Sequence, residues 1–175
     1  ENLKEYFRSN CCFLIRKKVN AKFVLNLTGL LKDYYPRLNF EEGIKEYKIE
    51  YSEFIKEFLK SPNNSVVINI KEDIYFSAFR LITLNEEESE FYLEALETHN
   101  DYFNKGHATE LISETLKLLS FDKEIKVESA IKKTNIASLR THEKCGFKIY
   151  KDYAVFEEEG IIKHKDSFTM RYNSN

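Results

Sequence analysis

Residues 90–119 read EFYLEALETHNDYFNKGHATELISETLKLL, and this stretch decides the fold. Its first ten residues, Glu90 to His99, are rich in aromatic and aliphatic side chains and predict a strand. A polar turn containing Asn104, Lys105 and Gly106 follows. From Ala108 the period changes, with Ala108, Leu111, Ile112, Thr115, Leu116 and Leu119 on one helical face and Glu110, Glu114 and Lys117 off it. A strand that passes through a tight turn directly into an amphipathic helix points backbone N–H groups and the positive end of the helix dipole at one spot. That arrangement suits a pyrophosphate. Gly106 lets the backbone approach the anion, Ala108 keeps the first turn slim, and Lys105 adds charge. The order G-x-x-x-x-G-K-[ST] is absent and so is G-x-G-x-x-G, which excludes a Walker A loop and a dinucleotide fingerprint. Ordinary strand-to-helix turns also carry the G-x-A spacing, so the spacing alone is weak.

Working outward, Ile125 to Ile131 predicts a further strand. Asn135 offers an N-cap oxygen for a short helix from Ile136 to Lys144, and Gly146 stands where a left-handed residue would end it. The tail, FKIYKDYAVF and then SFTMRY, predicts a closing hairpin. Upstream, Ser65–Ile70, Ile74–Leu84 and the strand at Glu90 are separated by the polar clusters KED and NEEES and predict three antiparallel strands. The acidic run Glu86 to Glu88 is expected to be a solvated hairpin tip rather than an amine-attracting patch. Before them, a short strand at Cys12 to Lys17 precedes helical spacing at Phe23–Tyr34 and Ile44–Leu59, broken by Pro36 and by the SPNN turn. Helices, meander, helix, strand, helix and hairpin make an α+β fold with a mixed, mostly antiparallel sheet.

The chain has 175 residues, a length suited to one compact domain spanning 1–175. Its 27 Lys+Arg against 29 Asp+Glu leave a net charge of -2, with no field to hold a nucleic acid nonspecifically. No run approaches the roughly 18 apolar residues of a membrane span, and the opening residues lack the order of a signal peptide. A cytoplasmic location without membrane association is therefore expected. Three cysteines, two of them the neighbours Cys11 and Cys12, predict no structural disulfide. The four histidines, His99, His107, His142 and His164, are too scattered for a metal site, and no metal is expected.

Two segments carry a family resemblance. FNKGHA, residues 103–108, resembles the Q/R-x-x-G-x-G/A pyrophosphate loop of the GNAT acetyltransferases, and NIASLRTHEKCGF, residues 135–147, resembles their N-x-x-[AS]-x-x-x-Y-E-K-x-G-F segment. The second match is the more specific. With the strand between them they place an acyl-CoA-binding core at about residues 90–156, while the first third is expected to shape the acceptor pocket. Phe103 departs from the usual Gln or Arg, and His142 stands where the family usually has a Tyr that protonates the departing thiolate.

The resemblance implies acetyl-CoA as co-substrate and a primary amine, small or peptidic, as acceptor. It further implies that backbone groups near Leu96 and Thr98 pair with the pantetheine amides, and that the side chains of Asn135 and Ser138 approach the same arm. Asn104, Lys105, Gly106, His107, Ala108 and Thr109 complete the expected coenzyme contacts. Direct attack by the amine needs a base, because an ammonium near pKa ~10 is protonated at neutral pH. Simple alternation puts Tyr92, Glu94, Leu96 and Thr98 on one face of the strand and Leu93, Ala95, Glu97 and His99 on the other, unless a bulge shifts the phase. Glu94 is the candidate base and Glu97 the reserve; His142 is the candidate acid. The alternative reading is a non-catalytic acyl-CoA-binding or regulatory module of the same fold, and a homodimer remains open.

Overall fold

The computed structural model describes residues 12–15, 53–71, 74–156 and 162–174. Among them the strands are β1 (Cys12–Ile15), β2 (Asn64–Lys71), β3 (Ile74–Asn85), β4 (Glu90–Thr98), β5 (Lys126–Lys132), β6 (Lys148–Lys151), β7 (Ala154–Phe156), β8 (Ile162–His164) and β9 (Ser167–Asn173). Two helices, α1 (His107–Leu119) and α2 (Ile136–Lys144), interrupt them, and residues 53–58 are also helical. The helix expected at Phe23–Tyr34 lies outside the described residues.

The main sheet has the order β1-β2-β3-β4-β5-β9-β6, and among the described residues only the β4–β5 contact is parallel. This is the mixed, mostly antiparallel α+β architecture expected from the sequence. The meander β2-β3-β4 is antiparallel throughout, and its second hairpin turns at Glu86–Ser89. There Asn85 Oδ1 accepts from the N–H groups of Glu87 and Glu88 at 3.1 and 3.2 Å, so the acidic run is a side-chain-capped turn. The two runs of the tail pair as expected, with a further ladder inserted between them. β6 and β9 are antiparallel neighbours in the main sheet, whereas β7 and β8 form a separate two-stranded ladder between them in sequence. Both runs have the strand period, but period alone does not say which strand pairs with which.

Alternation along β2 sends its apolar side chains to two cores. Val67 joins Phe79, Leu93, Val127 and Met170 under α1, while Val66 and Ile68 meet Ala78, Ile55 and Leu59 on the opposite face. Burial on both faces explains why residues 65–70 read as a near-continuous apolar run. Leu111 and Ile112 of α1 are completely buried, each contributing about 1.5–3 kcal/mol through loss of contact with water. The helix is thereby fixed across β2, β3 and β4, and its N-terminus is fixed with it.

Two irregularities shape the centre of the sheet. β4 pairs with β5 only over Glu90–Tyr92, opposite Lys126–Glu128, so from Leu93 onward its backbone on that side is not in a ladder. Ala95 has φ 50°, a left-handed conformation for a non-glycine residue, and the β3–β4 register slips there: Arg80 faces Glu94, yet Ala78 faces Glu97. Three residues of β4 thus cover two of β3, which is a β-bulge. The simple alternation expected for this strand fails at Ala95, and Glu94 and Glu97 come to address the same neighbour, Arg80.

Candidate active site

The opening between β4 and β5 leads into a cleft of about 1060 Å³ bounded by the second half of β4, the turn before α1, the first turn of α1, and one face of α2. Its floor is Leu96, Glu97 and Thr98 of β4.

The turn presents donors. Asn104 has φ 59° and Gly106 φ 86°, so left-handed residues flank Lys105, and successive N–H groups curve around a concavity. Asn tolerates this region because its short polar side chain can bond locally, whereas Gly meets no steric penalty there. Gly106 is also the N-cap of α1, with no side-chain hydrogen bond in the cap. The first intrahelical bond is Glu110 N–H to Gly106 C=O at 2.9 Å, which leaves the N–H groups of His107, Ala108 and Thr109 without a partner in the helix. All three residues line the cleft. At α2 the end is closed differently: Asn135 Oδ1 accepts from Ser138 N–H at 3.1 Å. One helix end in the cleft is capped by its own chain; the other is open to an anion.

Buried polar groups hold the open end in place. Ser77, fully buried on β3, donates its hydroxyl to the His107 carbonyl at 3.1 Å, and Asn69 on β2 donates to Glu110 Oε2 at 3.0 Å. The His107 ring stacks on Phe76 with centroids 4.2 Å apart and planes at 18°, and Tyr102 meets Phe76 edge-on at 4.7 Å. Asn69 and Ser77 were legible only as polar residues inside otherwise apolar strands; nothing near them in sequence names their partner thirty or more residues away.

Of the residues expected to contact the coenzyme, Leu96, Thr98, Asn104, Gly106, His107, Ala108, Thr109, Asn135 and Ser138 all line this one cleft. Lys105 does not. Its ammonium donates to the Asp101 carbonyl at 2.9 Å and lies 5.2 Å from the Tyr102 ring centroid, so its charge is spent behind the turn. The cations that do line the cleft are Arg140 and Lys144, one turn apart on α2. Phe103, half exposed, borders the opening opposite the exposed Ile136.

The two candidate carboxylates separate clearly. Glu94 does not line the cleft; its Oε1 lies 3.0 Å from Arg80 Nε, a charge contact outside hydrogen-bond alignment. Glu97 does line it, and burial pushes its carboxyl up to about 8, against the downward pull of Arg80. The bulge at Ala95 puts Glu97 on the same face as Glu94 but three residues nearer the turn, where the cleft lies, and a bulge leaves little trace in a sequence that contains no glycine there.

His142 is 1% exposed and does not line the cleft. On α2 it falls on the side of Leu139 and Cys145, facing the core, while Ala137, Ser138, Arg140, Thr141 and Lys144 face the cleft. Its Nδ1 donates to the Ser138 carbonyl at 2.9 Å, so the neutral ring has a bare Nε2, which is buried and has no partner among the described residues. Burial lowers its pKa, opposed by the Ser138 bond. A ring held this way has no Nε2 proton to give. Protonation therefore favours the unfolded chain, so stability is full above the unfolded value of about 6.5 and is lost as pH falls below it. A His142→Phe variant is expected to lose less stability than the parent between pH 7.5 and pH 5.5 in denaturant unfolding. An equal loss in both proteins would mean that other groups set the acid limit.

Among the described residues no group of His, Cys, Asp and Glu is arranged to hold a metal, and no helix is long and apolar enough to cross a membrane.

Residues 26–147 match the profile of the acetyltransferase (GNAT) family. The chain belongs to that family. As a member it is an acyltransferase, and solved structures reproduce its architecture. The PaiA N-acetyltransferase of Thermoplasma acidophilum, in complex with coenzyme A, aligns with a TM-score of 0.63 at 15% identity, covering 93% of this chain and 99% of that one. A GNAT-family acetyltransferase from Bacillus anthracis aligns at 0.62 and 18% identity, over 91% and 93%. A spermidine N-acetyltransferase from Vibrio cholerae, in complex with CoA and spermine, aligns at 0.60 and 15% identity, over 93% and 95%. Identities this low establish the shared fold and not a shared substrate. No curated protein matches the chain in sequence.

Proposed function

We propose that this acyltransferase moves an acetyl group from acetyl-CoA to a primary amine by direct attack, with Glu97 as the base. The observation that carries the reading is one cleft holding both an uncapped helix end, with N–H groups from Gly106 onward, and the Glu97 carboxyl, which burial pushes up to about 8. The first suits a pyrophosphate, the second an ammonium.

The chain's residues divide the work as follows. Backbone N–H groups of the Asn104–Thr109 segment bind the diphosphate, and Arg140 and Lys144 bring positive charge from the opposite wall. β4 groups freed by its divergence from β5 align the pantetheine arm along Leu96 and Thr98, near Ser138. Glu97 then takes a proton from the acceptor ammonium, so that the neutral amine reaches the thioester carbonyl. Transfer from a group of pKa ~10 to a carboxylate of pKa ~8 is uphill by about 2 units, rather than about 6 for an ordinary Glu, which is why the buried position matters. The departing thiolate needs no dedicated donor of great strength, since an alkyl thiol of pKa ~8.5 is readily protonated by water near neutral pH.

The test is thiol release from acetyl-CoA across peptide N-termini, lysine peptides, polyamines and aminoglycosides, alongside thermal unfolding with acetyl-CoA alone. Release with at least one amine class, together with ligand-dependent stabilisation, is expected. Stabilisation without release for any amine would favour the non-catalytic acyl-CoA module instead. The polyamine acetyltransferases of the same fold make that amine class the first to try.

A further inference from the structure

Arg80 is a charged residue in the middle of a sheet, and three separate contacts fix it. Its guanidinium lies over the Phe54 ring at 4.7 Å and the Phe58 ring at 5.7 Å. Its Nε sits 3.0 Å from Glu94 Oε1, and it stands directly opposite Glu94 in the β3–β4 register. The bulge at Ala95 then brings Glu97, opposite Ala78, within the field of the same guanidinium. In a regular strand, residues three apart point to opposite faces, and Arg80 would serve one carboxylate only. Here it serves two.

We propose that Arg80 is a positioning residue: clamped by Phe54, Phe58 and Glu94, it fixes a positive charge beside Glu97 and keeps that carboxyl ionisable in the pH range of the reaction. The proposal rests on Glu97 as the base. The groups around Glu97 fit the assignment. From β3 the charge acting on it is Arg80, on its own strand Glu94 is already paired to Arg80, and the other titratable or charged groups lining the cleft are Tyr102, His107, Arg140 and Lys144. Burial opposes ionisation of Glu97 and Arg80 is the group that favours it. Glu94 is then the tether that sets how much of the guanidinium's charge reaches Glu97.

Opposite-signed variants test this. Carboxyl ¹³C NMR titration of the full chain, with the Glu97 signal assigned by its loss in Glu97→Gln, reads the ionisation without reference to turnover. Arg80→Gln is expected to move the Glu97 midpoint up by about one unit or more, Arg80→Lys to return it close to the parent, and Glu94→Gln to move it down by releasing the guanidinium. The rising limb of kcat/KM against pH should shift the same way in each. If Arg80→Gln does not fold, Arg80→Lys and Glu94→Gln still decide the matter. A midpoint unmoved by Arg80→Gln or Glu94→Gln overturns the proposal. Undiminished turnover in Glu97→Gln would overturn the base assignment alone, and the titration would still judge Arg80.

Discussion

Glu97→Gln is expected to lower kcat about 10²- to 10⁴-fold at pH 8 while leaving acetyl-CoA affinity within about twofold of the parent. The amide keeps the size of the side chain and the floor of the cleft but cannot accept a proton. The parent should show kcat/KM rising through about pH 8, where the Glu97 carboxyl ionises, and the variant should lose that limb. Stability gives a second, independent reading. The folded-state pKa is raised from the ordinary 4.5 to about 8, so the protonated carboxyl is the form the fold favours. Its contribution is whole below 4.5 and disappears as pH rises through 8. Over that window the parent is expected to lose up to a few kcal/mol relative to Glu97→Gln, measured by denaturant unfolding at both ends. A variant with undiminished kcat and a parallel stability curve would remove Glu97 from the reaction.

That Glu97 rather than Glu94 occupies this position shows where the sequence stops being informative. The strand, the turn and the helix of residues 90–119 follow from local pattern, since period and glycine placement are local properties, and α2 begins and ends at the expected residues. The face of a side chain beyond a bulge is not local. It depends on the extra residue at Ala95, which looks like any other strand alanine. His142 illustrates the same limit on a helix. Its sequence position matches the tyrosine of the family pattern, but a nine-residue helix with Leu139 and Cys145 against the core turns position 142 inward with them. Arg80 was unreadable for a further reason: a lone Arg in an apolar strand announces that it needs partners, but Phe54, Phe58 and Glu94 are supplied by two other segments.

Gly106→Val is expected to abolish acetyl-CoA binding at a cost to the fold of about 1–2 kcal/mol, which leaves the protein folded, and the geometry says why the two effects separate. A Cβ placed on Gly106 meets nothing within 4 Å, so no protein atom is displaced. The penalty comes from φ +86°, which a β-branched residue strongly resists, and from the methyl groups standing where a diphosphate would approach the N–H groups of the turn. The parent should gain roughly 2.7 kcal/mol from acetyl-CoA at about 100 times its dissociation constant, and the variant should gain none. Gly146 supplies the control. It has φ +90°, but it does not line the cleft, and its added Cβ would press on the Tyr172 ring at 3.3 Å. Gly146→Ala should therefore destabilise the protein by about 1 kcal/mol or more while the acetyl-CoA stabilisation stays intact. If Gly106→Val still responds to acetyl-CoA as the parent does, the diphosphate is not held by this turn, and the cationic face of α2 at Arg140 and Lys144 becomes the place to look for it.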